Sequence, residues 1–130
     1  EHAMAIFLKS ISEYTNLNRA SAKTLTMETL TLILRRISEN SGSHFLSQLP
    51  HELQMQLLSE VSPADRSINA SLISEHIQKK FKVPPKQAEA LLQSFWRALA
   101  QSVSVSELRK VERDLPREIT QMLSPRASMM

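Results

Sequence analysis

The amino-acid sequence predicts an all-α fold, a compact helical bundle of about eight helices made from two tandem four-helix repeats related by a pseudo-twofold. Three observations predict it. The chain of 130 residues holds one glycine, Gly42, so it lacks the punctuation that tight β-hairpins need. Good helix formers (Ala, Leu, Glu, Gln, Lys and Arg) are plentiful. The second half also repeats the apolar pattern of the first at a shift of 66 residues.

Taken in order, Ala22, Leu25, Leu30, Ile33, Leu34 and Ile37 are apolar over a wide arc, which predicts a helix packed on more than one side. Ser38 follows as the cap of a third helix, in which Gly42 costs about 1 kcal/mol relative to alanine, so that helix is expected to be short or frayed. Leu49-Pro50 ends it, because a residue before proline avoids the helical region, and a short fourth helix restarts at the proline. Residues 59–70, with Ser62-Pro63-Ala64-Asp65, lose periodicity and read as a connector.

Beyond the connector, Ala88, Leu91, Leu92, Phe95, Trp96, Leu99 and Val103 step by three and four along one stripe, after a start marked by Val83-Pro84-Pro85. Ser104 with Glu107 forms a capping-box pattern for a helix over Val105 to Asp114. Leu115-Pro116 breaks the chain again before a last short helix. Residues 125–130 show no periodicity and are expected to fray.

The shift of 66 aligns residues 7–58 with 73–124 without a gap. Eight of those 52 pairs are identical, among them Ser38/Ser104, Leu49/Leu115, Pro50/Pro116 and Glu52/Glu118, where composition alone gives roughly three. Apolar character carries more weight than identity. Leu17/Val83, Leu30/Trp96, Ile33/Leu99, Ile37/Val103, Phe45/Val111 and Leu53/Ile119 exchange one core residue for another. The repeats are thus 5–58 and 71–124 within a single domain, 1–130.

Composition bounds the function. With 42% apolar and 22% charged residues and a mean hydropathy of −0.24, the chain is neither disordered nor membrane-embedded in type. No apolar run approaches the roughly 18 residues of a membrane span. The sequence has no cysteine, hence no disulfide framework or thiolate metal site, which fits a reducing, cytoplasmic location. Met4 reads as the natural start and the three residues before it as a vector remnant.

The paired Leu-Pro-x-Glu-[Leu/Ile] boxes, Leu49 to Leu53 and Leu115 to Ile119, together with the gapless duplication, resemble the bacterial domain-of-unknown-function family twenty-two sixty-seven over about residues 5–124. The resemblance implies an opening helix, Phe7 to Asn16, and an all-helical cytosolic bacterial domain. It implies no activity and no catalytic residue.

No residue set commits to a chemistry. His44 and His51 flank Pro50, which breaks the helix between them, so they are read as surface residues and not as metal ligands. His76 is read as a solvent-facing imidazole, and Glu52 and Glu118 as first-turn carboxylates offsetting their own helix dipoles. No nucleophile elbow, glycine-rich phosphate loop or Ser-x-x-Lys motif is present. No catalytic residue, cofactor or metal is therefore expected.

Charge separates the halves. Residues 1–62 carry five basic against six acidic residues, net −1, and residues 63–130 eleven against seven, net +4. Lys79, Lys80, Lys82 and Lys86 form one cluster, and Arg109, Lys110, Arg113 and Arg117 a second that Glu112 and Asp114 dilute. These eight are the candidate anion-binding residues. Phe81 and Trp96 read as core. The expected function is a non-enzymatic helical interaction or regulatory module that binds a protein or apolar ligand. The alternative is nucleic-acid or polyanion binding through the basic second half. The oligomeric state is left open, because wide apolar arcs pack either within a chain or across a dimer.

Overall fold

A computed structural model describes residues 2–125; residues 126–130 of the segment expected to fray lie outside them. The described residues form eight helices and no strand: α1 (His2–Thr15), α2 (Arg19–Arg36), α3 (Glu39–Leu46), α4 (His51–Leu58), α5 (Ala70–Phe81), α6 (Pro85–Leu99), α7 (Val105–Asp114) and α8 (Arg117–Leu123). The first helix begins five residues earlier than the resemblance implies, with Met4 buried in the core.

Local chemistry explains each boundary. Asn18 and Asn69 cap α2 and α5, their side chains accepting the amides of Ser21 and Leu72 at 2.8 Å. Proline opens α6 at its first residue, where no amide is missed. Pro50 and Pro116 stand as N-caps of α4 and α8. Ser38 and Ser104 cap α3 and α7 by accepting the amides of Ser41 and Glu107. The expected capping box is half formed, because Glu107 turns to Lys110 at 3.2 Å and the Ser104 amide donates to Gln48 Oε1. With Gly42, α3 has eight residues where α7 has ten.

α2 and α6 are the central helices, each packing chiefly on four others. α2 packs on α1, α4, α5 and α6, which accounts for its wide apolar arc; α6 packs chiefly on α1, α2, α5 and α8 and also reaches α7 through Trp96. α3 packs on α7. One core takes residues from all eight helices, and every member of the six apolar pairs is buried or packed against it. Phe45, Phe95, Ile33 and Leu92 are fully buried, each stabilising the fold by about 1.5–3 kcal/mol.

The connector is pinned to the end of α2. Arg35 Nε donates to the Pro63 carbonyl (2.9 Å), the Asp65 amide to the Arg35 carbonyl (2.8 Å), and Arg36 Nε to the Ile68 carbonyl (3.1 Å). Ile68 inserts into the core. The hydroxyl and amide of Ser67 hold the Asp65 carboxyl below the usual carboxylate range.

Candidate interaction groove

A groove of about 740 Å³, lined largely by apolar side chains, is bounded by α6, α7 and the end of α8. Its lining follows from the amphipathic stripe of α6. That stripe turns Phe95, Leu92 and Leu99 fully inward, and leaves Trp96 and Ala100 along the seam where α7 joins. Val105, Leu108 and Leu123 complete the apolar floor, and Val105 is 60% exposed at the lip.

Trp96 is buried as expected, but its indole N–H reaches the groove wall and donates to Glu112 Oε2 at 2.8 Å. A buried indole without an acceptor costs about 1–3 kcal/mol, so Glu112, read from sequence as a diluting charge, is a structural partner. Thr120 Oγ1 donates to the Glu112 carbonyl at 2.9 Å and ties α8 to the same wall. Gln93 Nε2 donates to the Met122 carbonyl (3.2 Å) at the opposite edge.

Arg97 and Arg109 stand on the rim, both exposed, and among the described residues neither is in an ion pair. Arg97 was missed in sequence because it is a lone cation in the last turn of α6. The only sign of it was the change from Thr31, 66 residues earlier.

The eight candidate anion-binding residues are all exposed. Lys79 and Lys80 lie in the last turn of α5, Lys82 is its cap, and Lys86 is in the first turn of α6. Lys80 pairs with Glu28 at 3.8 Å. Arg109, Lys110 and Arg113 lie along α7, and Arg117 opens α8. Along α6, Lys86 precedes the rim residue Arg97 by eleven positions, about 16 Å at helical rise.

One expectation is corrected and another is extended. His76 does not stand alone in solvent; it is half-buried and paired with Glu28 of α2 at 2.5 Å, bridging α2 and α5 beside a cleft of about 530 Å³. Glu118 lies in the first turn of α8 as expected, and it also accepts the amide of Ala70 at 2.9 Å, so it caps α5 as well. Both pairs are 48 residues apart, a separation at which local pattern carries no information. Among the described residues, no group of three or more His, Cys, Asp or Glu side chains is placed to hold a metal ion, and no helix is long and apolar enough to cross a membrane.

A family model described as an uncharacterized conserved protein, DUF2267, matches residues 5–122. The chain belongs to the DUF2267 family. No curated protein matches it. The DUF2267 match reaches into all eight helices and includes the groove residues from Gln93 to Glu112, and Leu123 lies just beyond it.

Proposed function

We propose that this chain is a non-enzymatic interaction module of the bacterial cytoplasm, which receives an apolar helical segment in the α6–α7–α8 groove. The observation that carries the reading is the pairing of an apolar floor (Trp96, Val105, Leu108, Leu123) with two rim arginines, Arg97 and Arg109. A groove open along one side suits the apolar face of an amphipathic helix, and the rim suits acidic residues flanking that face. The carboxylate nearest the floor, Glu112, is engaged by Trp96, which favours a structural over a catalytic part.

Fluorescence anisotropy with a labelled amphipathic peptide bearing flanking glutamates tests this. Saturable binding is expected, weakened at least about tenfold by Arg97→Glu with Arg109→Glu. Binding of equal strength to that variant contradicts the reading.

A pseudo-twofold relation between the halves is part of the proposal. Supporting it, α2, α3 and α4 begin at residues 19, 39 and 51, and α6, α7 and α8 begin 66 residues later at 85, 105 and 117. The left-handed residues Asn16 and Lys82 are also 66 apart, and each donates its amide to a carbonyl four residues back. Between halves, the Ser38 amide donates to residue 114 and the Ser104 amide to residue 48, a reciprocal exchange in the same register.

The second reading is polyanion binding. It is favoured by the exposure of Lys79, Lys82 and Lys86 around one helix junction. A salt-dependent gel shift with DNA or RNA tests it: binding lost on removal of those lysines with Lys80 supports it, and no shift at low ionic strength contradicts it.

A further inference from the structure

We propose that the groove's occupant is helix α4 of a second copy of this chain, docked head to tail; this rests on reading the groove as a docking site.

α4 presents an apolar ridge that nothing among the described residues covers. Met55 is 56% and Leu58 55% exposed, three residues apart on one face, with exposed Glu60 just beyond the helix end. Isolated exposed apolar residues are ordinary; a pair of large ones sharing one face of an eight-residue helix is a ridge of the kind a groove accepts. The ridge is confined to one half, since residues 66 positions later are Gln121 and Ser124. The basic rim is confined to the other, where Thr31 and Ser43 stand 66 positions before Arg97 and Arg109. Each half therefore bears one member of a complementary pair. The halves' net charges, −1 and +4, have the matching signs.

Such a contact is heterologous: ridge and rim are different surfaces, so a dimer leaves one of each unused and growth continues to a ring or a chain. Two apolar side chains and a few charges make a small interface, so the association is weak and salt-sensitive.

Sedimentation velocity on the full chain over a wide concentration range, at low and moderate salt, tests the proposal. The weight-average mass is expected to rise with concentration and fall with salt. A ridge variant (Met55→Glu with Leu58→Glu) and a rim variant (Arg97→Glu with Arg109→Glu) are each expected to self-associate at least about tenfold more weakly. All four positions border solvent, and circular dichroism verifies that both variants fold. An equimolar mixture of the two is expected to form a one-to-one dimer and nothing larger, because it retains one intact ridge and one intact groove. The proposal is overturned if the wild type is monomeric throughout, if association survives both variants, or if the mixture does not associate. A monomeric wild type that still binds the acidic peptide through Arg97 and Arg109 overturns self-docking and leaves the groove reading in place.

Discussion

The backbone amide of Ser38, which caps α3, donates to Asp114 Oδ2 at 2.9 Å, 76 residues away at the end of α7. That amide precedes the helix and has no partner within it, so a carboxylate from the neighbouring helix both satisfies the donor and offsets the positive end of the α3 dipole. Its counterpart, Ser104, donates to Gln48 at 3.2 Å, a neutral acceptor. The two bonds fasten α3 and α7 to each other at both ends, with the charged one the stronger.

The Ser38 amide holds the Asp114 carboxyl below the usual carboxylate range. A depressed folded-state value means that this stabilisation is fully present above about pH 4, the unfolded-state value, and is lost as pH falls through the folded one. Asp114→Ala is expected to cost about 1 kcal/mol at neutral pH, the usual loss for a cap on an exposed helix end. Urea unfolding of both proteins checks it. The difference shrinks in acid, where the wild-type carboxyl is protonated.

Thr29 lies fully buried in α2, and among the described residues its hydroxyl has no partner. Its neighbour Thr26, equally buried, donates to the Ala22 carbonyl at 2.8 Å. Thr29→Val removes an unsatisfied group at nearly constant shape and is expected to raise stability by about 1 kcal/mol, whereas Thr26→Val gives little or no gain. Denaturant midpoints of the two variants decide this.

A methyl group at Gly42 meets Leu34 Cδ2 at 3.6 Å, an ordinary contact. Gly42→Ala is therefore expected to stabilise α3 by about 1 kcal/mol through helix propensity, read as a higher urea midpoint with an unchanged slope.

Lys82 adopts φ 54° where α5 ends, a left-handed conformation that costs a side-chain-bearing residue about 1–2 kcal/mol. Lys82→Gly is expected to recover about 1 kcal/mol in thermal or chemical unfolding. The same variant removes one charge of the lysine cluster, so its gel-shift behaviour separates the backbone effect from polyanion binding.

Helix boundaries were legible because their causes are local: the serines at 38 and 104, the prolines at 50, 85 and 116, and the steps of three and four in α6 lie within a turn of the ends they set. The groove was legible in one part only. Trp96 shows as apolar periodicity, but periodicity does not distinguish a seam residue from one sealed by packing on every side. Arg97 and Arg109 are twelve residues apart on different helices, so grouping cations by sequence proximity joined Arg109 to Lys110 and missed its rim partner. Glu112, Asp114 and His76 were read as solvated and Glu118 as serving its own helix, and each bonds a different helix, a contact that no local pattern signals. Such contacts depend on how helices cross.

The chain has one tryptophan, so one indole N–H resonance reports the groove, and that proton is held by Glu112 at its wall. Heteronuclear NMR titration with the acid-flanked amphipathic peptide tests the central claim most directly. The account predicts that the Trp96 indole peak shifts progressively to saturation, together with the amides of Val105, Leu108 and Arg109. A peptide that leaves these signals in place, or that moves only amides near Lys79 to Lys86, contradicts it.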